Sequence, residues 1–326
     1  MRGQKVEKRE SKNSKMQHFP IMLFAITMGF GGLTLAYKKA AEILFVPLFF
    51  YQALTFIIST LALIIFCLYL CKIIKYPKMV LQEFNHPIKI NFFATISMSL
   101  LLLSNIFREI PIFSLALFSF GVGFQTFVAF YVIAYWLNKD IQIVHSNPAW
   151  FIPVAGNLLV SVSGVGFVNE YVLMFFFSLG MFFWIILTAI LFNRIIFHGM
   201  LAQKFLPTLA IFIAPPAVAM LGYLNINGGE FDLFAQFLLN IALTFALLLF
   251  VLAKNFYKIT FFISWWAFTF PFAALTLAFL TAYEKTQYTP FKLLSLFSLV
   301  LASIIIAFVG LKTIGAILRG DICKEE

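Results

Sequence analysis

Charged residues are scarce in this sequence of 326 residues. Only 11% are Asp, Glu, Lys or Arg, whereas 62% are hydrophobic, and the mean hydropathy is +0.98. A soluble domain carries about 25% charged and roughly 45–50% apolar residues. The composition therefore excludes a soluble globular protein and predicts a protein that crosses the bilayer many times.

Cysteine is also rare, with three residues, so no disulfide framework is expected. The net charge of +10 could suggest nucleic acid binding. The basic residues, however, lie at the ends of apolar runs, which indicates membrane orientation. We expect no nucleic acid partner.

The groups that carry most chemistry are missing from the predicted membrane interior. Proton- or sodium-coupled carriers usually keep ionisable residues at depth, and enzymes need acids, bases or metal ligands. All four histidines fall at the ends of apolar runs, and the sequence has no phosphate loop or nucleophile motif. The sequence therefore predicts no enzyme, no cofactor and no metal site.

Ten apolar runs are each long enough to be read as a membrane span. We number them spans 1 to 10, with predicted limits 18–37, 44–71, 88–106, 111–136, 148–166, 170–192, 205–223, 231–252, 259–282 and 290–314. Short connections pair them as five helical hairpins. The predicted organisation is an amino-terminal tail at 1–17, one transmembrane domain at 18–318 and a carboxy-terminal tail at 319–326.

Ten spans place both termini on one side of the membrane. Eighteen basic residues lie on that side and five on the other. By the positive-inside rule, both termini of this multi-pass protein are expected in the cytoplasm.

The odd and even spans differ in composition. The prolines well inside spans are Pro153, Pro215, Pro216 and Pro271, all in odd spans. Small and polar residues also concentrate in odd spans, whereas even spans are rich in Phe, Leu and Ile. We therefore expect bent odd helices to line a pore and even helices to face lipid. The alternative is that small residues only allow close helix packing.

Candidate pore-lining residues follow from this division: Gly29, Ser97, Pro153, Gly156, Asn157, Pro215, Trp266 and Pro271. Pro271 is expected to bend span 9 by freeing the carbonyl of Ala267. Three phenylalanines lie near this bend: Phe268 and Phe272 share one helix face, and Phe270 points away from both. Spacing alone leaves open which face looks into the pore.

Two stretches, 147–157 and 265–271, resemble the bacterial TehA-like tellurite-resistance and C4-dicarboxylate transporter family, whose relatives include the plant guard-cell slow anion channels. The resemblance extends over the whole chain. It implies five hairpins in a quasi-fivefold ring around a central pore, inner helices kinked by proline, and a homotrimer with one pore per protomer. It also implies that a phenylalanine on span 9 blocks the pore, and that residue is Phe270.

The sequence thus predicts an all-α membrane protein that acts as a passive channel for small anions such as chloride and nitrate, with Phe270 as its gate. A secondary carrier for C4-dicarboxylates or for toxic oxyanions such as tellurite is the alternative. A third hypothesis, a membrane protein without transport activity, requires an axis with no void.

Overall fold

The computed structural model describes residues 15–256 and 259–323, and the regular structure within these ranges is helical. The helices form ten segments that run in alternating directions, and these segments correspond to spans 1 to 10. Their helices run Ile21–Leu23 with Phe24–Leu44, Leu48–Lys75, Lys89–Phe93 with Ala94–Ile106, Pro111–Asn138, Pro148–Trp150 with Phe151–Ala155 and Asn157–Ser163, Glu170–Phe197, Gln203–Ile213 with Ala214–Ile226, Leu233–Val251 with Leu252–Asn255, Ile263–Phe268 with Thr269–Thr286, and Thr289–Arg319. The all-α membrane fold predicted from the sequence is confirmed.

Span 5 differs from the other nine. Among the described residues, nine helices are long and apolar enough to cross a membrane. Span 5 is instead divided into the helices Phe151–Ala155 and Asn157–Ser163, with Gly156 between them. Such a break is tolerated at membrane depth only where protein covers it, and Gly156 is buried.

Each odd span begins as a 3₁₀ helix and continues as an α-helix. This holds for span 1 and span 3, which lack interior proline, as well as for spans 5, 7 and 9. Pro271 lies in the first turn of the helix Thr269–Thr286, and Pro215 lies in the first turn of Ala214–Ile226. Backbone N–H groups in a first turn have no partner within the α-helix, so proline costs little there. In spans 7 and 9, proline therefore lies where the 3₁₀ helix passes into the α-helix, and the bend expected at Pro271 stays a prediction.

The odd spans form a closed ring. Span 1 packs on span 3, span 3 on span 5, span 5 on span 7, span 7 on span 9, and span 9 again on span 1. Each even span packs outside the odd span that precedes it. In four odd spans, 72–83% of the most apolar 18-residue stretch is buried inside the protein, whereas in the even spans 22–33% of that stretch is buried. The large exposed apolar surface of the even spans is what a helix facing lipid requires.

The two described ends of the chain lie on the same side of the ring, which we call the terminal side. A Cβ atom added at Gly320 would lie 3.6 Å from the Lys15 ammonium. The final helix ends at Arg319, one residue beyond the predicted domain limit. Residues 1–14 and 324–326 of the two predicted tails lie outside the described residues.

The segment between spans 2 and 3, predicted as a loop, contains the helix Pro77–Asn85. This helix carries Glu83 onto the end of span 2, where Lys72 donates to it at 2.7 Å and Tyr69 donates to it at 3.0 Å. The Lys72 ammonium also donates to the carbonyl of Phe19 at 2.8 Å. This buried cluster fixes the start of span 1 against span 2.

Candidate functional site

The five odd spans enclose a cavity of about 40 Å³ on the axis of the ring. We call it the central cavity. Its lining residues come from every odd span: Met22, Ala25, Met28, Phe92, Met98, Phe151, Ile152, Ala155, Gly156, Leu159, Ile211, Ala214, Pro215, Val218, Ile263, Ser264, Ala267, Phe270 and Pro271. One buried water needs a cavity volume of roughly 10–15 Å³, so the central cavity has room for about three water molecules. The axis is therefore not solid, but it is too narrow for a hydrated ion.

The lining is almost entirely apolar. Ser264 is its one polar side chain, and none of the lining residues is ionisable. Along spans 1, 3 and 7, the deepest lining residues from the terminal side are Met28, Met98 and Val218. We call these three residues, together with Phe270 of span 9, which also lines the cavity, the apolar collar.

Phe270 faces the axis, and its two neighbouring phenylalanines do not. Phe270 lines the central cavity and is buried. Phe268 and Phe272 line a separate groove between spans 8, 9 and 10, where the Phe272 ring lies 6.3 Å from that of Phe250. Of the three phenylalanines that spacing could not distinguish, Phe270 is the one that lines the central cavity.

Phe270 lies well inside span 9. From Ile263, where the helices of this span begin, six residues of 3₁₀ helix and two of α-helix give a rise of about 14 Å. This rise is roughly half the thickness of a 30 Å hydrocarbon core.

The candidates from the sequence divide into two groups. Phe270, Gly156, Pro215 and Pro271 line the central cavity. The other five do not; they lie between helices, at Gly29, Ser97, Pro153, Asn157 and Trp266. Small and polar residues of the odd spans thus serve mainly to join helices.

Gly29 and Trp266 show how this joining works. A Cβ atom at Gly29 would lie 2.1 Å from the hydroxyl oxygen of Thr269, so only glycine allows spans 1 and 9 to approach this closely. The Trp266 indole points outward from the ring, and its N–H donates to Thr313 of span 10 at 2.9 Å. Both residues set the width of the ring without lining the cavity.

Gln125 of span 4 satisfies the backbone where span 5 is broken. Its amide nitrogen donates to the carbonyl of Pro153 at 2.7 Å, and its amide oxygen lies 2.6 Å from the hydroxyl of Ser97. Asn157 donates to the carbonyl of Val154 at 2.8 Å. Sequence reasoning missed Gln125 because it lies in a span that was assigned to lipid.

Replacing Gln125 with leucine is expected to destabilise the fold. The variant leaves the Pro153 carbonyl without this donor in a buried site, at a cost of about 1–3 kcal/mol. Thermal unfolding of the purified protein in detergent, followed by loss of the monodisperse chromatographic peak, measures this effect. Gln52 of span 2 is exposed, so Gln52→Leu is the control, and an equal loss of stability in both variants would contradict the assignment.

The collar of Met28, Met98 and Val218 was also missed. Each is the fifth residue of its α-helix, in Phe24–Leu44, Ala94–Ile106 and Ala214–Ile226 respectively. This shared position is a signal in the sequence, but it becomes visible only once the start of each α-helix is known. Within an apolar span, the sequence alone does not distinguish an apolar residue that lines the axis from one that packs elsewhere.

Comparison with known proteins agrees with this architecture. The S-type anion channel SLAH3 of Arabidopsis thaliana is 29% identical over 286 residues, which cover 82% of this chain and 44% of that protein. SLAH2 of the same plant is 26% identical over 94% of this chain and 61% of its own length. The chain thus spans about half the length of these plant relatives. The tellurite resistance protein TehA homolog of Haemophilus influenzae is 25% identical over 93% of this chain and 92% of that protein.

The family profile SLAC1, described as voltage-dependent anion channel, matches residues 18–314. The match takes in all ten spans and the complete ring that encloses the central cavity. The chain therefore belongs to the SLAC1 family, which includes the TehA homologue and the plant S-type anion channels.

Proposed function

We propose that this protein is a passive anion channel whose pathway follows the ring axis and is closed by the Phe270 ring. The observation that carries the proposal is the central cavity, which all five odd spans line and whose lining includes Phe270 and the rest of the apolar collar. A narrow apolar constriction stops ions because they would have to shed water without replacement contacts. Membership of a family of anion channels supports an anion as the permeant, and small inorganic anions such as chloride and nitrate are the proposed ones.

A secondary carrier for dicarboxylates or tellurite is the second candidate, and it draws on the TehA relative. A coupled carrier needs groups that bind or release the coupled ion. None of the residues lining the central cavity is ionisable, so the channel is the better supported of the two.

The remaining parts of the proposal concern placement and assembly. We place the terminal side in the cytoplasm because of the excess of basic residues on that side. The membrane is then the bacterial inner membrane. A homotrimer with one pathway per protomer follows from the family resemblance and is part of the same proposal.

The test is current across planar bilayers that contain the purified Phe270→Ala variant. A channel gives an ohmic current whose reversal potential follows the chloride gradient and which does not saturate. A carrier gives saturable uptake of labelled succinate that depends on a proton gradient. The second result, together with silence in the bilayer, would replace the channel by the carrier.

Gly32 of span 1 makes room for the Phe270 ring. A Cβ atom there would lie 3.2 Å from Cδ2 of Phe270 and 3.0 Å from Cβ of Ala273. Gly32→Ala is therefore expected to displace the ring and to give a leak current below that of Phe270→Ala. Gly31→Ala is the matched control, because its new Cβ atom would meet Leu102 of span 3 at 3.1 Å and not the ring. Equal currents in the two variants would contradict the contact.

A further inference from the structure

A long groove runs along the side of span 9 that faces away from the ring axis, between spans 8 and 10. We call it the span 9 groove. Its deeper part, of about 270 Å³, is lined by Phe268 and Phe272, and its other part, of about 470 Å³, lies nearer the terminal side. The two parts share four lining residues, Ala253, Phe256, Trp265 and Phe308. They therefore form one continuous groove.

The groove is apolar and opens toward the surrounding lipid. The buried side chains of Phe272 and Val309 form its floor, whereas Ile304 and Phe308 of span 10 are 60% and 46% exposed. Large exposed apolar surface of this kind marks a site of contact with a membrane component or another protein. Among the described residues that line the groove, Lys312 is the one ionisable residue.

The groove has the length of one bilayer leaflet. Along span 10, its lining residues run from Leu301 to Lys312, and this length of α-helix gives a rise of about 17 Å. Half of a 30 Å hydrocarbon core is about 15 Å. Lys312 lies at the end nearer the terminal side, where lipid headgroups are expected.

The groove does not continue into the second leaflet. One helical turn beyond Leu301, the Phe297 ring of span 10 lies 6.4 Å from the Phe250 ring of span 8, so the two rings bridge the walls at this end. A transmembrane helix of a second copy would cross both leaflets. The closed end therefore favours a single acyl chain that enters from the terminal side.

The other end of the groove has the residues of a headgroup site. The Lys312 side chain is exposed, and its ammonium lies 5.4 Å from the centre of the Phe308 ring. The Trp265 indole N–H donates to the carbonyl of Thr260 at 3.2 Å, which holds the indole at this end. Tryptophan and lysine near the ends of membrane helices lie at the level of the lipid headgroups. The lysine favours a headgroup with negative charge.

We propose that the span 9 groove binds one anionic phospholipid from the leaflet on the terminal side, with an acyl chain along Phe268 and Phe272 and the phosphate headgroup at Lys312. Lipid tails are as apolar as the groove. The shape of the groove therefore positions the chain, and the charge of the lysine selects the headgroup. The bound chain supports span 9 on the face opposite Phe270.

Quenching of tryptophan fluorescence by phosphatidylglycerol with brominated acyl chains tests the site in the full-length protein in detergent. Bromine quenches on contact, and of the five tryptophans only Trp265 lines the groove. The wild type is expected to show saturable quenching, and Trp265→Phe is expected to lose it. Saturable quenching that persists in Trp265→Phe would place the lipid elsewhere and overturn the site.

The headgroup is tested by Lys312→Gln. This variant is expected to bind brominated phosphatidylglycerol about fivefold more weakly, the factor that one lysine near an anionic headgroup contributes, and to bind brominated phosphatidylcholine like the wild type. Lys75→Gln is the matched control, because it removes an exposed lysine at the terminal-side end of span 2, outside the groove. An equal loss in both variants, or unchanged binding in Lys312→Gln, would overturn the headgroup site.

The acyl chain is tested by Ala253→Phe, which fills the groove where its two parts meet and is expected to abolish the saturable quenching. Ala189→Phe is the control, because Ala189 is equally exposed on span 6 and lies outside the groove. Light scattering on the same samples gives the number of protomers per particle. A change of that number in Ala253→Phe alone would make the groove a contact between copies and overturn the lipid site.

The exposed Lys312 provides the decisive comparison should Ala253→Phe fail to fold. Lipid binding is observed without any current, so its failure leaves the proposed channel function untouched, and a silent channel leaves the lipid site untouched.

Discussion

Replacing Phe270 with alanine is expected to raise the chloride current of the reconstituted protein by more than about tenfold, since lowering a barrier by only 1.4 kcal/mol already changes a rate that much. The phenyl ring lines the central cavity, and in the proposed channel it closes the axis. Removing the ring is expected to widen the axis at this position, so that water and then ions can pass. The measurement is current in voltage-clamped planar bilayers, in chloride and in nitrate.

The matched control for this experiment is Phe272→Ala. It removes the same ring two positions later, from a side chain that packs against Phe250 in the groove between spans 8, 9 and 10. Each substitution costs packing energy, about 3–5 kcal/mol for a buried phenylalanine, so each sample must first elute as a single species. Phe270→Leu is expected to give an intermediate current.

Two outcomes would remove Phe270 from its proposed role. One is a folded Phe270→Ala protein as silent as the wild type. The other is an equal current from Phe272→Ala, which would mean that loosened packing, and not an open axis, carries the ions.

The ring of spans could be predicted because strong physical constraints act on the length and on the composition of membrane helices. An apolar run must reach a minimum length to cross the bilayer, and this fixed the number of spans. Interior prolines and small residues separated the inner spans from the outer ones, since a helix that faces lipid can be long, regular and rich in phenylalanine.

The direction of side chains around each odd helix could not be predicted in the same way. A 3₁₀ helix has three residues per turn and an α-helix has 3.6. The residues that face the ring axis therefore follow a different spacing before and after the junction of the two helix types. Ser97 therefore meets Gln125, and Trp266 meets Thr313, where the sequence pattern had placed both on the pore. Of the candidates from the sequence, only Phe270, Gly156, Pro215 and Pro271 line the central cavity.

The burial of the Lys72–Glu83 ion pair was the other feature that could not be predicted from the sequence. Lys72 was counted among the basic residues of a loop, but its side chain is 1% exposed and pairs with Glu83, which is 11% exposed. The partner comes from the helix Pro77–Asn85, which the sequence did not indicate. A buried lysine can be recognised only when its counter-ion is known.

Replacing Glu83 with glutamine is expected to cause a large loss of stability, about 3–5 kcal/mol, because it leaves a buried charge uncompensated. Glutamine has nearly the same shape, so packing changes little. The Lys72 ammonium would keep its hydrogen bond to the Phe19 carbonyl but lose its ion pair with the Glu83 carboxylate. Since Phe19 lies three residues before Met22, which lines the central cavity, the start of span 1 on the terminal side should loosen first. The measurement is the thermal midpoint of the detergent-solubilised protein.

Glu284→Gln provides the matched control, because it removes the same charge from an ion pair with Lys39 that is 2.6 Å long but partly exposed. Exposed pairs contribute about 0–1 kcal/mol, so its thermal midpoint should stay near that of the wild type. In a further variant, Lys72→Met/Glu83→Gln, the stranded ammonium is gone, and most of the lost stability should return. If this double variant unfolds as early as Glu83→Gln, the carboxylate supports the fold through its bond to Tyr69, and the charge of Lys72 is not the cause.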